Sequence, residues 1–260
     1  MRTSERAVGQ EQPSLRSVPA SGRAHHKNVR SNIAAHSDDI SFSMATSSTS
    51  GTAGACLAES FVLNDRLIAI GVVDASAYGN RAAMKVRLVC ESFRAVLDST
   101  HNVAGTMGLI NRELYGEVPS GAIPWPYLSG FFGIVDVRNQ RLRYVSCGHE
   151  AAILFGVDGK HTHLPHNAPV LGVSPSSEFQ ESSVNIAVGD VLAVVTLGVT
   201  DARPLRSQTD FFGTRRLCEL FQRPNTEVDL TASIVIDRAT GFSDGRLDND
   251  AAVLVASFVR

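Results

Sequence analysis

Three pairs of apolar runs in this chain are separated by only a few polar residues, and that spacing constrains the fold more than any other feature. "ACLAESFVL" and "RLIAIGVVD" flank the turn "NDR". "YLSGFFGIVDV" and "RLRYVSCGH" surround "RNQ", and "FQESSVNIA" and "DVLAVVT" meet at "VGD". A link this short reverses a strand but cannot carry the crossover that a parallel neighbour needs. The spacing therefore predicts three antiparallel hairpins, with "ISFSMA", "AAILFGVDG" and "DAAVLVASFV" as further strands.

Between the strand blocks the period changes. Ala83, Val86, Leu88, Val89, Phe93, Val96 and Leu97 recur at helical spacing, and "NVAGTMGLINRELYGE" gives a second helix beside them. A second helical pair is predicted over "DFFGTRRLCELFQR" and "EVDLTASIVIDRATGF". Strands in hairpins and helices in pairs argue for an α+β fold, a layered sandwich of antiparallel sheets with helical pairs packed outside.

Residues 1–37 are polar, aperiodic and rich in Ser, Arg, Gly and Gln, and are expected to form a disordered N-terminal tail ahead of one domain at 38–260. The tail is locally basic, with Arg2, Arg6, Arg16, Arg23, Lys27 and Arg30 against Glu5 and Glu11; a docking arm is the functional reading and a solvated tail the plain one. The formal net charge of the whole chain is −2, which gives no electrostatic case for nucleic acid or a membrane surface as partner. Four scattered cysteines form no C-x-x-C pair, so zinc is not expected and a disulfide framework is not indicated. With no apolar leader at the N-terminus and no run of membrane-spanning length, a cytoplasmic location is expected.

Acidic residues mark the ends of several strands. Asp74 closes "IAIGVVD", Asp201 follows "TLGVT", Asp248 and Asp250 open the final strand, and Asp39 opens "ISFSMA". Singly, each is an ordinary turn former or cap. Together they suggest a site for a hard cation, because clustered carboxylates resist full ionisation unless a cation neutralises them. Two other groupings compete. Cys147 and His149 stand two apart in "SCGHE", as a thiol–imidazole nucleophile would require, although a buried cysteine is usually inert. His161, His163 and His166 in "HTHLPH" have the alternation that zinc or nickel uses, but lie in a long polar connection without acidic partners and read as a solvated loop.

Five segments, in order from about residue 38 to the end, carry a resemblance to a known family. "IGVVDASAYGNRAA" is similar to the "ADVSGHGxxAA" signature of SpoIIE-type serine phosphatases, the bacterial branch of the metal-dependent (PPM, type-2C) protein phosphatases. "LINREL" sits where that branch has "LNxxL", and "SGFFGIVDVRNQRLRYVSCGHEAAILF" resembles "TLFLGVLDPxTGRLRYVNAGHPPPLLL". "GDVLAVVTLGVTDAR" resembles "GDxLxLYTDGVTEAR", and "NDAAVLVASF" resembles the terminal "DDxTLLVLR".

The resemblance implies a four-layer α-β-β-α sandwich of two antiparallel sheets flanked by helical pairs, two Mg²⁺ or Mn²⁺ ions, and hydrolysis of phosphoserine or phosphothreonine on a small regulatory protein such as an anti-sigma-factor antagonist. It places Asp74 as the ligand bridging both metals, the Ala75 carbonyl as a further ligand and Asp250 as a ligand to one ion. Asp39 and Asp201 would stand just outside them. The chain also departs from the family pattern. The aspartate of "TDG" is replaced by Leu197, which has no lone pair to donate. Ala77 and Tyr78 replace glycine and histidine of "SGHG", and Asn249 and Ala252 replace residues of "DDxT". The loss at Leu197 keeps open a second reading, a catalytically inactive phosphatase-fold module that binds or scaffolds a phosphoprotein regulator.

Overall fold

The computed structural model describes residues 29–36, 39–49, 55–75, 79–117, 126–221 and 231–259. In chain order its first elements are β1 (Val29–His36), β2 (Ile40–Ser48), β3 (Cys56–Val62), β4 (Leu67–Ala75), α1 (Asn80–Thr100) and α2 (Val103–Gly116). Then come β5 (Leu128–Asp136), β6 (Arg141–Cys147), β7 (Ala151–Phe155), β8 (His161–His163), β9 (Ser182–Asn185) and β10 (Val191–Val195). The last are α3 (Leu197–Thr200), α4 (Gly213–Phe221), α5 (Ala232–Phe242) and β11 (Ala251–Phe258). Two sheets result, in strand orders β1-β2-β11-β10-β7-β8 and β3-β4-β5-β6-β9, with every ladder between named strands antiparallel.

Two of the three expected hairpins form. In β3–β4, Asn64 Oδ1 accepts from the amides of Arg66 and Leu67. In β5–β6, the Asp136 carboxylate accepts from the Asn139 amide and from Arg66 across the sheet. Such short polar side chains stand in for backbone partners where the chain turns. The third expected hairpin does not form. β9 joins β6 in the five-stranded sheet, whereas β10 lies between β11 and β7 in the six-stranded one. The "VGD" turn is pinned from both sides. The Ile186 amide donates to Gln140 O in one sheet and the Gly189 amide to Phe258 O in the other, while the Asp190 carboxylate accepts from Ala187 N and Val157 N. Gly189 has φ +89°, which glycine adopts without steric cost. The same step between sheets occurs after Cys147, so "AAILF" does not extend the sheet of β5 and β6.

Packing follows from strand alternation. Phe42, Met44, Leu192, Val194, Leu254 and Ala256 from one sheet interdigitate with Ile70, Val72, Phe131, Val135 and Leu142 from the other. The opposite face of the five-stranded sheet, including Phe132, Ile134 and Val145, buries the apolar stripe of α1 and α2 through Val89, Phe93, Leu97, Met107 and Leu114. The opposite face of the six-stranded sheet, including Ile153, Ala193, Val195 and Val253, buries Leu217, Val235, Ile236 and Ala239 of α4 and α5. The four expected layers are therefore present. Strands buried on both faces read as near-continuous apolar runs, as "VLAVV" and "AAVLV" do. Each large side chain so enclosed contributes about 1.5–3 kcal/mol.

Two local expectations are corrected. β1 occupies Val29–His36 inside the segment expected to be a tail, and pairs with β2 over eight residues; residues 1–28 lie outside the described residues. The stretch "HTH", expected to be loop, is the edge strand β8, paired with β7. Its polar composition suits an edge, where one side of the strand meets water.

Candidate active site at the ends of β4 and β11

Two strand ends, one from each sheet, bring Asp74 and Asp250 together. Asp74 is the penultimate residue of β4, cross-strand from Cys56 on β3 and Ser129 on β5. Asp250 immediately precedes β11. Beside it, β10 ends and the chain turns through Thr196 into α3. Thr196 locks this corner twice: its amide donates to Ala252 O at 3.0 Å, and its Oγ1 accepts from Ala252 N at 2.9 Å. Gly198 then passes against the backbone of the opposing turn. A Cβ there would fall 2.1 Å from Asp250 O and 2.9 Å from Asn249 O, so the close approach requires glycine.

The Asp250 carboxylate is 4% exposed and well supplied with donors. Oδ1 accepts from Thr49 N at 2.7 Å and Thr49 Oγ1 at 3.0 Å, and Oδ2 accepts from Ala55 N at 2.8 Å. It thereby fastens Thr49 and Ala55 to the start of β11. Asp74 is in the opposite condition. Burial, and then repulsion from Asp250, push its carboxyl up to about 7, against a smaller opposing pull from the Ala75 amide. Cys56 feels the same field: burial, then Asp74 and Asp250, raise its thiol well above its ordinary value.

This pair fits a single hard cation. A carboxylate that takes up a proton near neutrality, first through desolvation and then through a facing carboxylate, is a charge that a bound cation would stabilise. Mg²⁺ commonly takes one or two carboxylates and keeps its remaining waters. A second ion is poorly served. Leu197, 41% exposed at the start of α3, offers no donor. Asp250 already spends lone pairs on three protein donors. Among the described residues no third His, Cys, Asp or Glu donor clusters with Asp74 and Asp250.

The remaining expected residues divide. Ala75 ends β4 with its amide donating to Ala55 O, the residue whose own amide caps Asp250 Oδ2. Asp201 caps α3 one turn after Leu197 and is not among the charges that act on Asp74. Asp39 is misplaced in the sequence-based expectation. Ile40 pairs with Phe258, and the Asp39 carbonyl accepts from Val259 N, so Asp39 sits at the far end of β11. At ~3.3 Å per residue that is roughly 30 Å from Asp250. The residue that stands beside Asp74 in register is Cys56. Its signal was available: "GAC" opens the strand that pairs with "IAIGVVD", whereas "SDD" opens a strand of the other sheet. Ala77 and Tyr78 lie outside the described residues.

The Cys147–His149 alternative has no chemistry to support it. Burial alone raises the Cys147 thiol far above neutrality, and burial lowers His149 to about 4 against a weak pull from the Val195 backbone. A protonated thiol and a neutral imidazole without a good hydrogen bond on either ring nitrogen make no nucleophile pair. Gly148, at φ +59° with Val170 Cγ1 2.4 Å from where a Cβ would sit, makes this a packed corner.

Comparison with known proteins adds the following. The family model "Stage II sporulation protein E (SpoIIE)" matches residues 64–259. The chain is 31% identical over 128 residues to Protein IcfG of Synechocystis sp., covering 49% of this chain and 20% of that protein. It is 25% identical over 142 residues to the phosphoserine phosphatase RsbP of Bacillus subtilis, covering 54% of this chain and 35% of that protein. It thus spans between 20% and 35% of the length of these curated relatives. Among solved structures, the PP2C phosphatase domain of SpoIIE from Bacillus subtilis with a fragment of its regulatory domain superposes with a TM-score of 0.71 at 14% identity, covering 93% of this chain and 76% of that one. RsbX in complex with magnesium superposes with a TM-score of 0.67 at 10% identity, covering 88% of this chain and all of the other. Among the described residues no helix is long and apolar enough to cross a membrane.

Proposed function

The chain belongs to the SpoIIE family, and from that membership we propose that it is a metal-dependent protein serine/threonine phosphatase domain working at Asp74 and Asp250. The observation that carries this reading is the pair itself: a half-buried and a buried carboxylate, from different sheets, close enough that one raises the proton affinity of the other. Asp74 and Asp250, with the Ala75 carbonyl, would hold one Mg²⁺ or Mn²⁺. When bound, such an ion polarises a phosphoryl oxygen and lowers the pKa of a coordinated water. The chain's own part is positional. Thr49 and Ala55 fix the Asp250 carboxylate, Thr196 fixes the corner beside it, and β4 holds Asp74 opposite. Leu197 offers no carboxylate to a second ion, so turnover is slower than in a two-ion site.

The substrate class is a phosphoserine or phosphothreonine on a small regulatory protein, as for a phosphorylated anti-sigma-factor antagonist. Support comes from RsbP, a phosphoserine phosphatase by name, and from the family match. The test joins calorimetric titration with Mn²⁺ to hydrolysis of a phosphoserine peptide by wild type and Asp74→Asn. One bound ion, with turnover abolished in the variant, is expected. Turnover in the presence of chelator, or in Asp74→Asn, would refute the metal mechanism. Ion binding without turnover would leave the non-catalytic module that binds a phosphoprotein as the better reading.

A further inference from the structure

On the outer side of the six-stranded sheet, far along the chain from Asp74 and Asp250, three soft ligand side chains converge. His161 and His163 stand two apart on β8, and the period of two puts both on one side of this edge strand. Cys218 reaches them from α4, where it is 7% exposed. Their donor atoms all lie within 4.8 Å of one another. The two rings are 5.5 Å apart at 71°. The floor is aromatic: Phe155 lies 6.0 Å from the His161 ring and stacks on Phe221 at 4.6 Å.

We infer that His161, His163 and Cys218 form a metal site of their own, taking one borderline transition ion of the Zn²⁺ class. Two imidazoles and one thiol are the ligand types that select Zn²⁺ and its neighbours over Mg²⁺ or Ca²⁺. Tetrahedral Zn²⁺ holds N and S donors about 3.3–3.6 Å apart, given its ~2.0–2.3 Å bonds. The donors must therefore close by about an ångström, which rotation of the two exposed histidines supplies. The thiol, raised by burial and by Glu219, gives up its proton to water as the ion binds. The fourth position faces solvent and takes a water. The ligands come from elements fifty-odd residues apart, so binding fastens α4 onto an edge strand of only three residues. Because its ligands are nitrogen and sulfur, this site does not compete for the hard cation at Asp74.

The probe is Co²⁺, added to the full chain under a phosphine reductant. One equivalent is expected to give tetrahedral visible absorption and a thiolate-to-metal charge-transfer band, both removed by Zn²⁺. Cys218→Ser should abolish the charge-transfer band. His161→Ala with His163→Ala, at two exposed positions, should weaken binding at least tenfold and remove the Zn²⁺-induced rise in thermal midpoint. Wild type without a thiolate band overturns the site, as does a band that survives Cys218→Ser or is lost only in Cys56→Ser. Unchanged affinity in the double histidine variant overturns it equally. None of these readouts involves phosphate hydrolysis, so they stand or fall apart from the catalytic reading.

Discussion

At the scale of single residues, Asp74 ties charge to stability. Its folded pKa of about 7 lies above the usual carboxylate value, so the folded state binds more protons than the unfolded state across pH ~4–7. Stability from this group is intact below that window, falls as pH rises through it, and is lost in full above pH 7, on the order of a few kcal/mol. His149 runs the other way: buried neutral, it costs stability as pH falls from ~6.5 towards 4. The wild-type profile therefore mixes two opposing slopes. The difference between wild type and Asp74→Asn isolates the first, and in chelator the variant should be the more stable protein at pH 8 and lose that advantage by pH 4. A flat difference across that range would remove the buried-charge argument. Leu197→Asp should destabilise the metal-free protein further, by adding a charge near the pair. Mn²⁺ should then raise its thermal midpoint by several degrees more than it does wild type's. Equal gains would place residue 197 outside the ion's reach.

Elements set where those residues meet. The β10–α3 corner lies against the start of β11 only because Gly198 has no side chain to intervene. Gly198→Ala should cost roughly 2–4 kcal/mol, as overpacking against fixed backbone does. It should also lower Mn²⁺ affinity without touching either aspartate. Chemical denaturation and calorimetry read the two effects separately; a destabilised variant with unaltered affinity would uncouple the corner from the site. How far this was legible in the sequence depends on what each pattern encodes. The β3–β4 and β5–β6 hairpins were readable because turn and partner strands are contiguous. The "VGD" turn has the same local chemistry, yet nothing local states that β9 and β10 belong to different sheets. The motifs named Asp74 and Asp250 as partners, and in the fold the charge of one acts on the other. Asp39 was misplaced because letters were matched where strand register decides, and register puts Cys56 beside Asp74. The histidines of β8 read as loop because an edge strand of three polar residues has no apolar face to announce it.

For the molecule as a whole, β1 moves the domain boundary. We place it ahead of Val29, so removal of residues 1–28 should leave the thermal midpoint within a few degrees. Removal of 1–37 strips β2 of its partner over eight residues, lowers the midpoint and promotes association through the bared edge. Equal midpoints for the two truncations would show that β1 adds nothing. The strand order has a further consequence. β11 threads between β2 and β10, and Asp250 is bonded to Thr49 across 201 residues. While the chain is still emerging from the ribosome, β2 has no neighbour on that side and the six-stranded sheet exists as two separate pieces. Contacts this distant in sequence form slowly. The five-stranded sheet, whose strands are all synthesised by residue 185, can assemble well before. The strand that joins the pieces is also the one that delivers Asp250, so the nascent protein passes through most of its synthesis with Asp74 unpaired and gains the facing carboxylate only as its architecture closes.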